Sequence, residues 1–352
     1  MKLNLTFAIF IWILPSYLHA QENTITLNGF VDVYLGYDFG RPSSGNRASF
    51  LYNHTRHNEV NINLAFLKGS YQNSKVRANL AIATGTYMQY NYAAEPSILQ
   101  NIFEANVGVR LGEETWIDAG VLPSHIGFES AISKDCWTLS RSIAAENSPY
   151  FETGIKLSHN LTNKISLNLL YLNGWQRIKK LNNNTTPSFG TQLLYKWNDD
   201  GLINWSTYVG NDNPDSTRKM RYFNNLYSTF KLSEKTYLTV GCDFGIEQKY
   251  KKSTRYSKWF TPQFVIRRKL TQNLTMATRV EYFADYGNVI IAAPNQDIRL
   301  MGFSINADYE VFKNTFARFE VRRFGANQAV FQNGQYSSNS NMSLLSSLSV
   351  SF

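Results

Sequence analysis

The sequence predicts an all-β protein, a transmembrane antiparallel up-and-down β-barrel, and three observations predict it. Short segments alternate apolar and polar residues, and the connections between them are by turns very short and long. Beyond residue 21 there is no apolar run approaching the roughly 20 residues of a membrane-spanning helix, yet tyrosine, phenylalanine and tryptophan make up 14% of the chain. A strand with one face on lipid and one on water gives the alternation, hairpins entered from one side give the loop rhythm, and aromatic girdles at the two interfaces account for the rings.

Residues 1–20 read as a secretory signal peptide. Lys2 precedes an apolar run from Leu5 to Leu14, and Pro15 to Ala20 supplies a cleavage region. The run holds about ten apolar residues, too few to anchor the chain, so the mature domain is expected to be a single barrel over 21–352.

The first strand places Ile25, Leu27, Val31, Val33, Leu35, Tyr37 and Phe39 on one face and Asn28, Asp32 and Asp38 on the other. A second, about 59–71, turns Val60, Ile62, Leu64 and Phe66 outward. A third, about 75–88, does the same with Val76, Ala78, Leu80 and Ile82, and only Gln72, Asn73 and Ser74 separate the two. Such tight polar turns belong to the periplasmic end, and the long loops to the extracellular one. The pattern continues near 102–112, 115–122, 150–158, 164–172, 188–197, 201–210, 220–231, 236–248, 257–269, 274–284, 298–310, 315–324 and 341–352, sixteen strands in all.

An even count returns both chain ends to the periplasm. A miscount of two strands either way gives a range of 14–18, and the weakest segment is 220–231, where Tyr222, Phe223, Leu226, Tyr227 and Phe230 occupy both phases. A soluble β-sandwich shares the alternation, but so many evenly spaced strands would divide into two domains, and no proline- or glycine-rich linker separates any. The last strand puts Met342, Leu344, Leu348, Val350 and Phe352 on one face. Its aromatic terminus resembles the signal read by the barrel assembly machinery.

The formal charge of +9 is spread among acidic residues, with no basic cluster interleaved with stacking aromatics, so a nucleic-acid partner is not expected. Cys136 and Cys242 have no metal-ligand spacing, and their pairing is left open. The first external loop holds His54, Arg56, His57 and Glu59 without a second ligand pair, which points to hydrogen bonding rather than metal. His125 and Asp135 near Ser124 and Ser130 lack a nucleophile elbow, so no catalytic residue, cofactor or enzyme activity is assigned.

The polar faces would line the lumen with Asp32, Glu59, Arg77, Glu104, Arg110, Asp118, Glu152, Lys156, Lys196, Asp243, Glu247, Arg267, Arg279, Glu281, Asp308, Arg318, Glu320 and Arg322, charges too costly to leave in hydrocarbon. Their mixed signs leave charge preference undetermined. The longest connection, 123–149, carries Phe128, Ile132, Trp137, Leu139 and Ile143, which could anchor a loop folded into the barrel. His125, Glu129, Lys134, Asp135, Arg141 and Glu146 would give that constriction a polar rim. An exposed lid is the other arrangement. Residues 91–100 suggest a short helical cap on the second external loop.

Several blocks resemble the β-barrel porins of Bacteroidota described as OmpL-like. They are Gly29-Phe30-Val31-Asp32-Val33-Tyr34, Tyr52-Asn53-His54-Thr55-Arg56-His57-Asn58-Glu59 and Ala94-Glu95-Pro96. The match is densest over Trp116-Ile117-Asp118-Ala119-Gly120 and Pro123-Ser124-His125-Ile126-Gly127-Phe128-Glu129-Ser130, then Lys134-Asp135-Cys136-Trp137-Thr138-Leu139-Ser140-Arg141-Ser142 and Glu146-Asn147-Ser148-Pro149-Tyr150. The resemblance implies a cell outer-membrane barrel in contact with lipid, and names no solute. The expected function is passive diffusion of small hydrophilic solutes or ions. The alternative is a closed barrel serving adhesion, envelope architecture or a secretion complex. Monomer and homotrimer both stay open.

Overall fold

A backbone in hydrocarbon has no water to bond, so every N–H and C=O must find a neighbouring strand, and a sheet satisfies this only by closing on itself. The structure, a computed structural model, describes residues 23–295 and 297–352; the signal-peptide reading of 1–20 lies outside the described residues. In chain order the strands are β1 Thr24–Asp38, β2 Val60–Gln72, β3 Val76–Thr84, β4 Ile102–Gly112, β5 Thr115–Pro123, β6 Phe151–Asn160, β7 Ile165–Leu172, β8 Ser188–Asn198 and β9 Gly201–Asn211. They continue with β10 Met220–Ser233, β11 Thr236–Gln248, β12 Tyr256–Lys269, β13 Leu274–Tyr286, β14 Ile298–Phe312, β15 Thr315–Ala326, β16 Phe331–Asn333, β17 Tyr336–Ser338 and β18 Ser340–Ser351.

Sixteen of these form one closed antiparallel barrel in which each strand pairs with its sequence neighbour, and β18 joins β15 to β1. β16 and β17 form a separate hairpin inside the last external loop, which the alternation did not announce. Along the closing seam Phe30 stands opposite Ser351 and Asp38 opposite Ser343. At its periplasmic end Gly29 N–H donates to the Phe352 carbonyl at 2.7 Å and receives the Phe352 N–H at 3.0 Å. The Phe352 ring lies across Gly29 so closely that a β-carbon there would stand 2.3 Å from it. An aromatic laid over a glycine on the neighbouring strand is a known way to shield exposed backbone in a sheet.

Leu80, Val280, Phe303, Ile305, Leu344 and Leu348 are exposed on the outer wall, where they meet lipid. Rings border this band. Tyr195, Trp197 and Phe230 cluster toward the periplasmic turns, and Tyr222, Tyr256, Phe260, Tyr282 and Tyr286 toward the external loops. Among the described residues no helix is long and apolar enough to cross a membrane.

Two details depart from simple alternation. Asp32 pairs with Leu64 but Val33 with Ile62, a bulge at Asn63. One extra residue exchanges the two faces, so Leu64 and Phe66, expected outward, turn inward, and Phe66 stacks on Phe103 with centroids 5.3 Å apart. β3 ends at Thr84 rather than near 88, because Gly85 takes a φ of 122° and opens the short helix α1, Thr86–Asn91. A 3₁₀ turn at Ser97–Leu99 falls within the expected cap. The mixed phase of β10 also resolves. Tyr222, Leu226 and Phe230 face lipid, while Phe223 stacks on Trp259 and Tyr227 meets Phe128 inside.

Ile305→Arg, at mid-strand on the lipid face, is expected to cost about 2–4 kcal/mol in urea unfolding from vesicles. Ser166→Arg, on the inward face near a periplasmic turn, should change stability by no more than about 0.5 kcal/mol.

Candidate functional site

The connection between β5 and β6, residues 124–150, is the third external loop and is called loop 3. A segment this long would leave many backbone N–H groups unsatisfied if it were buried without partners. The barrel supplies those partners from its inner wall. His125 comes first: its carbonyl accepts Gln192 Nε2 at 3.0 Å and Ser206 Oγ at 2.7 Å, from β8 and β9. Gly127 N–H then donates to Asn225 Oδ1 on β10 at 3.1 Å. Phe128 packs on Tyr227, and Trp137 faces Tyr237 on β11.

The loop next reaches the opposite wall. Leu139 N–H donates to Asn306 Oδ1 on β14 at 2.9 Å, Ser140 N–H to Glu320 Oε2 on β15 at 2.5 Å, and Ile143 N–H to Glu281 Oε2 on β13 at 2.6 Å. Arginines bind its carbonyls. Arg322 donates to Arg141 O at 2.8 Å, Arg279 to Ser140 O at 2.8 Å, and Arg318 to Cys136 O at 2.9 Å and to Ser133 O. These cations are themselves paired: Arg279 with Glu320 at 2.9 Å, Arg322 with Glu281 at 2.5 Å, and Arg318 with Asp308 through two N–H groups at 2.6 and 2.8 Å. Arg141, fully buried, folds back on Ser130, Ala131 and Leu139 carbonyls and so staples the loop to itself. Glu129 accepts from Ser142 and lies 3.6 Å from Arg279.

The loop closes its circuit through α2, Ile143–Glu146, capped by the Ser142 side chain. Glu146 accepts the N–H groups of Tyr52 at 2.8 Å and Asn53 at 3.2 Å in the first external loop. Next to them His54 is fully buried and meets Asp32 on β1 at 3.2 Å. Loop 3 is therefore tied to strands on opposite sides of the barrel and, through the first loop, to β1.

Two histidines sit beside carboxylates and behave differently. His125 presents Nδ1 to Glu152 at 2.7 Å and Nε2 to the Thr207 carbonyl at 2.9 Å. A carbonyl only accepts, so Nε2 carries a proton, and Nδ1 beside a carboxylate favours a second. Burial opposes that charge, but Glu152 outweighs it and the pKa is raised. His54 has one carboxylate contact, no partner at Nδ1, and complete burial, which lowers its pKa. Burial also pushes Glu146 up to about 7 and raises Glu129. Gly190 makes the seat for His125, since a β-carbon on it would stand 2.7 Å from the imidazole.

The remaining residues read as pore-lining fall into separate groups. Arg77 grips Asp118 through two N–H groups at 2.7 and 2.5 Å, with Lys156 opposite Asp118 on β6. Glu104 pairs with Lys68 at 2.5 Å. Asp243 accepts from Asn225 at 2.6 Å. Arg110, Lys196 and Arg267 are exposed near the periplasmic rim, away from the arginine cluster. Lys134 pairs with Asp135, and Glu59 with Arg56 outside the lumen. Cys136 and Cys242 are free thiols. Alternation missed Lys68, whose phase the bulge on β2 reverses. It also missed the neutral anchors Asn225, Asn306, Gln192 and Ser206, which carry no charge to attract notice.

A family model described as "Putative beta-barrel porin-2, OmpL-like" matches residues 24–352. No curated protein matches. Among solved structures, the anion-selective porin of Comamonas acidovorans superimposes with a TM-score of 0.62 at 10% identity, covering 94% of this chain and 100% of that one. In vitro folded OmpT of Vibrio cholerae, in its trimer form, gives 0.62 at 8% identity over 94% and 99%. OmpF of Salmonella typhi in complex with daunomycin gives 0.59 at 12% identity over 94% and 98%. At these identities the likeness is one of fold.

Removing one member of the arginine cluster, as in Arg322→Met, leaves buried Glu281 with Arg279 at 3.3 Å as its remaining cation and the Arg141 carbonyl without its donor, and is expected to cost about 3 kcal/mol. Limited proteolysis should then cut loop 3 while the barrel still migrates as folded on unheated gels. The pH dependence has a definite sign. His125, with its pKa raised, contributes stability that is fully present below about 6.5, the ordinary histidine value, and is lost as pH rises through the raised one. Glu146, raised to about 7, works in the same direction. Loop 3 should therefore resist protease better at low pH than at high pH, with Glu146→Gln narrowing the difference to the part that His125 supplies.

Proposed function

Because the chain belongs to the OmpL-like family of β-barrel porins, we propose that it is a channel for passive diffusion of small hydrophilic solutes and ions, with loop 3 setting the limiting size. It is an outer-membrane protein, and a porin does no covalent chemistry on what passes. The observation that carries the reading is a sixteen-stranded barrel, wide enough to enclose an aqueous lumen, whose longest loop is bonded to its inner wall. Cavities of about 350 and 260 Å³ lie against loop 3 at Phe128 and Glu129, and another of about 400 Å³ separates Lys134–Trp137 from β12, β14 and β15. Solutes would cross by these spaces, filtered by the paired charges around them.

Assembly as a homotrimer is compatible with the apolar outer wall. Delivery by a signal peptide over 1–20 and insertion by the barrel assembly machinery, with Phe352 at the end of β18, fit the same reading. One observation favours a second reading, a closed barrel with a structural or adhesive role. Phe50, Leu51, Ile143, Phe283, Ile291, Leu300, Phe324 and Phe331 form an apolar cluster under the external loops, and Arg279, Arg318 and Arg322 are essentially inaccessible.

Single-channel recording of the mature protein in a planar bilayer with symmetric potassium chloride separates the two. Stable steps are expected, and replacing 128–146 by a short Gly/Ser connection should enlarge them at least two-fold. Silence from both proteins, each shown to be folded, would leave the structural role.

A further inference from the structure

Charge that a solute can meet is charge not already consumed by a neighbour. Around loop 3 most inward carboxylates are paired: Glu320 with Arg279 and Ser140 N–H, Glu281 with Arg322 and Ile143 N–H, and Glu152 with His125, while Asp243 accepts from Asn225 and has no ion pair among the described residues. All are buried against the loop. Below loop 3, toward the periplasm, the pairing uses up the acids instead. Glu104 is held by Lys68, Asp118 by Nε and Nη2 of Arg77, and Asp308 by Arg318.

Cations are left over on this lower wall. Lys156 stands opposite an Asp118 already taken, Arg110 bonds only the backbone carbonyls of Gly112 and Glu113, and Lys196, Arg267 and Lys269 have no ion pair among the described residues. Strand register directs each of them inward, since Arg110 pairs opposite Trp116, Lys196 opposite Leu202, and Arg267 opposite Tyr237. Glu310 is the inward carboxylate of these strand halves left without an ionic partner, again among the described residues. Arg267 and Lys269 line the cavity of about 400 Å³ beneath Lys134–Trp137, together with the Arg318–Asp308 pair.

We infer that the vestibule between loop 3 and the periplasmic rim is an anion-collecting funnel, and that the solutes this barrel favours are small anions. The inference rests on the channel reading above and adds the class of solute to it. The physical basis is focusing: like charges set in a low-dielectric wall around a narrow space raise the local concentration of the opposite ion and lower that of their own sign. Loop 3 borders the upper side of the vestibule, so a solute entering from the periplasm passes the turn carboxylate Glu114, which shares a cavity with Lys196, and then meets Arg110, Arg267 and Lys269, with Glu310 the unpaired strand carboxylate among them.

The test is the reversal potential of the mature protein in a planar bilayer under a potassium chloride gradient, near 0.1 M salt, where the screening length is about 10 Å. The expected result is a potential on the chloride side, with chloride several-fold more permeant than potassium. Lys156→Glu, Arg267→Glu and Lys269→Glu combined should move it to the potassium side, and the milder Arg267→Gln and Lys269→Gln pair, which adds no charge to fold around, should move it part of the way. Conductance with potassium preferred, or a chloride preference that survives these substitutions in folded protein, overturns the inference and leaves the channel reading standing. Absence of any conductance overturns both.

Discussion

Closure of the sheet is the constraint on which everything else in this molecule depends. Sixteen strands exchange their backbone hydrogen bonds around a ring that ends where β18 meets β1, and lipid would punish any gap in it. The seam is sealed to its last residue, with Gly29 and Phe352 exchanging both N–H groups. Once the ring is closed, each strand has a face to lipid and a face to the lumen, and every inward charge becomes affordable because it no longer meets hydrocarbon.

The interior is organised by one loop rather than by the wall alone. Loop 3 brings backbone N–H groups into the lumen, and the wall answers with Glu281, Glu320, Asn306 and Asn225. Those carboxylates in turn require Arg279 and Arg322, whose remaining N–H groups bind loop carbonyls. Each component leaves a buried polar group unsatisfied if removed, so loop, arginines and acids hold as a unit. The same pairing determines which charges in the lumen stay without a partner.

Electrostatics divide the lumen into two zones. The zone around loop 3 is dense in paired charge, and it serves to hold loop 3 and its partner loop through His125 and Glu146. The lower zone keeps exposed cations that have no ion pair among the described residues. A summed charge over the chain says little about this, because the functional quantity is the residue of charge after pairing at each depth.

The sequence by itself determined the class of fold, the strands to within a few residues, the placing of the short and long connections, and the lipid face of the last strand from Met342 to Phe352. It could do so because each follows from local alternation and turn chemistry, readable over about ten residues. Tertiary structure decided the rest. The bulge at Asn63 reversed Leu64 and Phe66, since extra residues in a ladder are visible only when the partner strand is present. Ser140 and Glu320 lie 180 positions apart, and Arg322 and Arg141 a similar distance; no local pattern encodes which acid meets which N–H across a lumen. Aromatics in both phases of β10 looked like noise in the sequence and were the seats of Trp259 and Phe128. Charge could be assigned to the inner face from periodicity, but whether it was consumed or left free depended on contacts that only the closed barrel creates.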